Sequence, residues 1–152
     1  MARLISDKLV TLIEDNADRI ARRWYSDVQK NAATPSYHSL TEEKCIYQAS
    51  TLYRQLGHLI DYKTPKEELV QYFTGFAEAR FDEGLTLPEV IYVLTLMRRH
   101  LWLTAERDNV FSTAIELYAA LEFINRVILI FDRAIYIVAQ RYENRVKHES
   151  TK

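Results

Sequence analysis

The chain has 152 residues, of which 48% are hydrophobic and 27% are charged, with three glycines, three prolines and a net charge of −1. This composition is typical of a single globular domain and excludes a disordered chain. Its scattered basic residues exclude the positive surface of a nucleic-acid binder, and its apolar stretches are too interrupted by charges to predict a membrane span. Because no signal peptide is recognisable, we expect a cytoplasmic protein. The scarcity of turn residues predicts an all-α fold.

The first two predicted helices follow from apolar side chains at helical spacing. A clean apolar stripe predicts one helix over residues 4–30. Pro35 disfavours helical geometry in the residue before it and ends this element. A second helix is predicted to begin at Ser39, because Glu42 follows three residues later in the pattern of a capping box.

The third and fourth helices are bounded by clear start and stop signals. Thr64 is the predicted N-cap of the third helix, with Pro65 at its first position. Gly84 suits the left-handed conformation that often ends a helix, so we place the end there. The fourth helix is predicted to follow the cap residue Thr86 and to run to about Arg107.

The last predicted helix is the longest. Residues 110–145 contain no glycine or proline, and at ~1.5 Å per residue one helix over this range would exceed about 50 Å. A break near its start or a bend inside it is left open. Residues 146–152 are polar and predict a frayed tail. The sequence thus predicts a single domain, with its core over about residues 4–145, built as a globin-like or orthogonal bundle of about five helices.

This last helix has two apolar stripes, so it requires a partner on each side. The first stripe alternates by four and three residues, as in a coiled-coil seam. We interpret it as the seam of a homodimer, while the other side packs on the preceding helices. A central helix in a monomeric bundle is the alternative. The predicted seam consists of Leu117, Ile124, Val127, Phe131 and Val138.

Two charged residues fall where the pattern requires apolar ones. Arg80 lies near the middle of the apolar face of the third helix, and Asp132 lies on the second stripe of the last helix. A buried charge is costly unless it is paired. We therefore predict that Arg80 pairs with Asp132 and locks the two helices together. Asn125, one heptad earlier, would extend the polar cluster. There are two alternatives to this structural pair. Arg80 extends its charge to solvent at the rim of the helix bundle, or the polar residues line a functional pocket.

Motifs for chemistry are absent from the sequence. There is no H-E-x-x-H motif, no E-x-x-H motif and no glycine-rich phosphate loop. We therefore predict no catalytic residues, no metal and no cofactor. The single cysteine, Cys45, lies in phase with apolar residues and is interpreted as a core residue. His100 is the one histidine on an apolar side. It is a candidate haem ligand, although a hydrogen-bonded histidine at the edge of the core is the more common situation.

Three segments resemble the N-terminal domain family named after the RsbR and RsbRD stress-response regulators. The segments are RRWYSDVQKNAATPSYHSL, FAEARFDEGLTLPEVIYVLTLMRRHLW and LEFINRVILIFDRAIYIVAQRYE. The resemblance covers about residues 4–145 and depends on dispersed positions rather than on a compact motif. Its landmarks are Trp24, Thr34-Pro35 with Tyr37, Arg80 with Gly84, residues 99–102, and Asp132-Arg133-Ala134.

The resemblance implies a globin-like helical module that dimerises and holds no haem. In that family the domain usually precedes a STAS domain or a histidine kinase, and no such output domain follows Glu143 here. We therefore predict a non-enzymatic bacterial signalling module that senses a signal or docks a signalling partner as a homodimer. A globin-like sensor that binds haem or a small ligand through His100 is the alternative.

Overall fold

The computed structural model describes residues 2–108 and 113–151. Within these ranges the chain forms seven α-helices, one 3-10 helix and no strand, which confirms the predicted all-α fold with a long C-terminal helix. The globin-like arrangement stays a prediction. The elements are α1 (Ala2–Asp15), α2 (Ala17–Lys30), the 3-10 helix (Pro35–Ser39), α3 (Glu42–Arg54), α4 (Leu56–Ile60), α5 (Lys66–Asp82), α6 (Leu87–Asp108) and α7 (Ala114–Ser150).

Two of the five predicted helices are each divided in two. The first is interrupted at Asn16, which has φ −109° and ψ 20°. The side-chain amide of Asn16 donates to the carbonyl of Leu12 at 2.8 Å and so competes with the helical backbone bonds. The second is interrupted at Gln55, with φ −99° and ψ 7°. These two breaks account for the difference between about five predicted helices and the seven found in the described residues.

The predicted start of the second helix is wrong by two residues. Thr41, not Ser39, caps α3, because the Thr41 side chain accepts a hydrogen bond from the Lys44 amide at 3.2 Å. Ser39 belongs to the 3-10 helix, and its hydroxyl donates to the carbonyl of Ser36 at 3.1 Å. Tertiary structure decided between two neighbouring residues that both have suitable capping side chains.

The two ends of α5 differ in how well they were predicted. Thr64 does not cap the helix, since its hydroxyl donates to the carbonyl of His58, and α5 begins at Lys66. At the other end Gly84 adopts the expected left-handed conformation, with φ 80°. The amides of Gly84 and Leu85 donate to carbonyls of the last turn at 3.0 and 3.2 Å, which is the Schellman pattern.

α7 is one continuous helix of 37 residues, about 55 Å long at ~1.5 Å per residue. The predicted start at Val110 lies outside the described residues. The predicted frayed tail is wrong as far as Ser150, because ion pairs one turn apart support the end of the helix. These pairs are Glu143 with Lys147 at 3.1 Å and Arg145 with Glu149 at 3.6 Å.

A continuous hydrophobic core joins all seven α-helices. α7 packs against α1, α4, α5 and α6, while α2 packs against α3 and α6. Two large aromatic side chains in this core keep their polar atoms hydrogen-bonded, as buried Trp and Tyr usually do. Trp24 Nε1 donates to the carbonyl of Val93, and the Tyr53 hydroxyl donates to the carbonyl of Met97, both at 3.0 Å. These bonds connect α2 and α3 to the middle of α6.

Candidate functional site

The face of α7 that was predicted as the dimer seam lies mostly inside the chain. Val127, Phe131 and Val138 are buried in the core, and Ile124 is half-buried. Only Leu117, near the start of the helix, is exposed. The seam prediction is therefore wrong for most of its residues. Both stripes have helical spacing, and the packing of α1, α5 and α6 on one of them decided which is buried.

The opposite face of α7 leaves large apolar side chains in contact with solvent. Tyr118 and Tyr136 are 77% and 67% exposed, and three aliphatic residues between them are 38–48% exposed. Exposed apolar side chains that cluster on one face of a protein often mark a surface that binds a partner. We call this row the α7 stripe. It consists of Tyr118, Leu121, Ile128, Leu129 and Tyr136.

Arg80 is buried, as predicted, but its partner is not Asp132. Only 5% of Arg80 is exposed. Its Nε and Nη2 donate to the two carboxylate oxygens of Glu83 at 3.2 and 2.9 Å, and its guanidinium lies 4.9 Å from the centre of the Phe76 ring. Such bidentate pairing satisfies a buried guanidinium well. The spacing of three residues along α5 was the signal in the sequence that pointed to Glu83.

Glu83 is also the centre of a small polar network between α3 and the end of α5. Gln48 Nε2 donates to it at 3.3 Å, and Lys44 Nζ lies 3.8 Å from its Oε1. Arg80 and Glu83 also help to line an open groove of about 420 Å³ between these helices. Burial, followed by the charge of Glu83, raises the pKa of the nearby Cys45 thiol to about 11. Cys45 is thus a neutral core residue, in agreement with the sequence.

Asp132 lies on the open face of α7, where its side chain is 62% exposed. It pairs with Arg98 of α6, and the two atoms Nη1 and Oδ1 are 3.3 Å apart. Asn125 is exposed on the same face. The predicted cluster of Arg80, Asp132 and Asn125 therefore does not form. Asp132 and Asn125 instead place polar groups between the apolar side chains of the α7 stripe.

His100 connects α6 to α2. Its Nε2 lies 3.0 Å from Oδ2 of Asp27, and its side chain is largely buried. His100 is thus a hydrogen-bonded histidine at the edge of the core, the more common of the two situations expected for it. A haem iron would have to displace Asp27 from Nε2 or use the other ring nitrogen. In the described part of the chain, no three His, Cys, Asp or Glu side chains converge in a way that could hold a metal ion.

Glu89 connects two elements that are distant in the sequence, a role that its position in the sequence did not predict. This buried carboxylate accepts hydrogen bonds from the amide and hydroxyl of Ser36, at 2.7 and 2.6 Å, and from the hydroxyl of Thr86 at 2.9 Å. Burial alone would raise the pKa of Glu89, but these hydrogen bonds outweigh it and hold the pKa below its usual value. The contacts tie the 3-10 helix to the first turn of α6, 53 residues away.

Protein-family models, curated proteins and solved structures contain no significant match to the chain. The similarity to the RsbR-type domains thus depends only on the residues quoted above. None of the described helices combines the length and the apolar character needed to cross a bilayer.

Proposed function

We propose that the chain is a non-enzymatic signalling module that senses a signal or docks a partner protein as a homodimer, with the α7 stripe as the dimer interface. The exposure of this stripe is the observation that carries the proposal. Five large apolar side chains lie along one face of α7, and each of them keeps at least 38% of its surface exposed within the described chain. Burying them against a second surface removes apolar area from water and is favourable.

The spacing of the stripe fits a second copy of α7. Tyr118, Leu121, Asn125, Ile128 and Asp132 follow each other at intervals of three and four residues, which is the pattern of helices that pack along a shared seam. In a twofold dimer the same patch serves both subunits. Polar residues within such a seam set its register at some cost in stability. We assign this role of setting the register to Asn125 and Asp132.

The signalling role rests on the resemblance to the RsbR-type domains and on the length of α7. This helix contacts α1, α4, α5 and α6 on its buried face and contributes the stripe on its other face. A signal that changes the packing of the bundle would therefore shift the two α7 helices relative to each other. A role in bacterial stress-response signalling and a cytoplasmic location belong to the same proposal.

Light scattering coupled to size-exclusion chromatography tests the dimer. We expect the wild-type protein at micromolar concentration to have twice the chain mass, and the variant Leu121→Glu/Ile128→Glu to be a monomer, since it places four carboxylates in one small interface. Tyr47→Glu is the matched control, because Tyr47 is 70% exposed on α3 and outside the stripe. A monomeric wild type would refute the dimer, and a dimeric double variant would move the interface elsewhere.

The alternative function, a haem or small-ligand sensor that uses His100, has weaker support because Nε2 of His100 already faces Asp27. An absorption spectrum of the purified protein with added haem separates the two functions. A Soret band shifted from that of free haem, which the His100→Ala substitution returns to the free-haem position, would favour the haem sensor. The signalling module without haem predicts a spectrum equal to that of free haem for both proteins.

A further inference from the structure

A cavity of about 320 Å³ lies between α4, the start of α5 and the middle of α7. We call it the basic cavity, because three cationic side chains help to line it and Asp61 is the only carboxylate among the residues that line it in the described chain. Its aromatic wall is Tyr62. The cations are Lys66 of α5 and, one heptad apart on α7, Arg126 and Arg133.

None of the ion pairs among the residues that the structure describes includes Lys66, Arg126 or Arg133. Arg126 is nevertheless held in place. Its Nη2 donates to the carbonyl of Ile60 at 2.9 Å, and its guanidinium stacks 4.4 Å from the centre of the Tyr62 ring. Its Nε is buried without a hydrogen-bond partner. The bond to Ile60 and the contact with Tyr62 therefore fix the position of the Arg126 charge beside the cavity.

Two carboxylates near the basic cavity already interact with other groups. Asp61 Oδ1 accepts a hydrogen bond from the amide of Lys63 at 2.9 Å. Glu68, in the first turn of α5, lies 2.6 Å from Nε2 of His58. α5 also begins at this cavity without a side-chain cap, and Glu67 and Glu68 stand in its first turn. Among the described residues that line the cavity, three cations and one carboxylate leave an excess of two positive charges.

We propose that the basic cavity binds a phosphate group, either as free phosphate or as part of a small phosphorylated molecule. A dianion matches the excess of two positive charges, and guanidinium groups donate to phosphate oxygens in a fixed planar geometry. This inference goes beyond the proposed dimer and does not depend on it.

Calorimetric titration of the full chain with inorganic phosphate, in chloride buffer at constant ionic strength, tests the site. Arg133→Gln and Lys66→Gln change exposed side chains, so both variants should fold. We expect each to weaken phosphate binding by about tenfold, the usual effect of losing a charge-assisted hydrogen bond. Arg126→Lys keeps the charge but loses the planar guanidinium that Ile60 and Tyr62 hold in place, and we expect a similar loss. Arg99→Gln, an exposed arginine on α6, is the matched control and should bind as the wild type does.

Three results would overturn the proposal: no heat beyond dilution for the wild type, an equal loss in Arg99→Gln, or equally tight binding of acetate. Phenyl phosphate distinguishes the two sources of the phosphate group. Tighter binding than inorganic phosphate supports a small phosphorylated molecule, and equal or weaker binding supports free phosphate. Repeating the titration on Leu121→Glu/Ile128→Glu keeps the two proposals separate, because the site should survive the loss of the dimer.

Discussion

Arg80 and Asp132 are alike in the sequence pattern but differ in the structure, because Arg80 is buried and Asp132 is exposed. Each is a charged residue in the middle of a predicted apolar face. Arg80 is 5% exposed and paired with Glu83 in a bidentate geometry. The Asp132 side chain is 62% exposed and pairs at 3.3 Å with Arg98. Helical phase therefore identified both residues as unusual without distinguishing the buried charge from the hydrated one.

The difference in exposure between Arg80 and Asp132 arises from what packs against the helix face that carries each residue. The face of α5 that carries Arg80 is covered by its neighbours, and Glu83 and Phe76 supply a partner for the charge and an aromatic surface for the guanidinium. The face of α7 that carries Asp132 is open to solvent within the single chain. A buried charge must be neutralised by a nearby group, whereas an exposed charge is hydrated and gains little from its ion pair.

The largest effect is expected from breaking the buried pair. Arg80→Ala should lower the free energy of unfolding by about 3–5 kcal/mol, because Glu83 is left without its main partner. Urea unfolding followed by circular dichroism measures the loss. Glu83→Gln should also destabilise the protein, and the double variant should lose less than the sum of the two. Additive losses would show that the two residues do not act as a pair.

A smaller effect is expected from Glu89, the buried carboxylate that connects the 3-10 helix to α6. Glu89→Gln should cost about 1–3 kcal/mol at neutral pH, since hydrogen bonds to a charged acceptor are lost. The folded-state pKa is lowered, so the ionised group stabilises the protein above its ordinary pKa of 4.5. This stability is lost as the pH falls through the folded-state value.

Unfolding curves of Glu89→Gln and wild type from pH 7 to pH 3 check this prediction. The difference between the two proteins should be greatest at neutral pH and should shrink as the pH falls below the ordinary pKa of the carboxyl. A difference that stays constant over the whole range would mean that ionised Glu89 contributes nothing to stability.

The smallest effect is expected from Asp132→Asn, which removes an exposed ion pair. The loss in the free energy of unfolding should be no more than about 0.5 kcal/mol. The measurement is best made in the Leu121→Glu/Ile128→Glu background, so that a second subunit does not contribute. A loss close to that of Arg80→Ala would show that the comparison between the two charges is wrong and that Asp132 is effectively buried.

The sequence determined the helical class, the long last helix, the left-handed Gly84 and the burial of Arg80. These follow from local causes, namely the spacing of apolar side chains, the scarcity of turn residues and the conformational freedom of one glycine. Exact helix starts were less predictable, because Thr41 competed with Ser39 as a cap and Asn16 interrupted a helix through its own side chain.

Only the tertiary structure decided which stripe of α7 is buried, which carboxylate neutralises Arg80 and which cations surround the basic cavity. These features bring together residues from separate helices. Lys66 and Arg133, for example, line one cavity although 67 positions separate them in the chain. Helical periodicity orders residues around one axis, but it contains no information on which neighbouring helix covers each face.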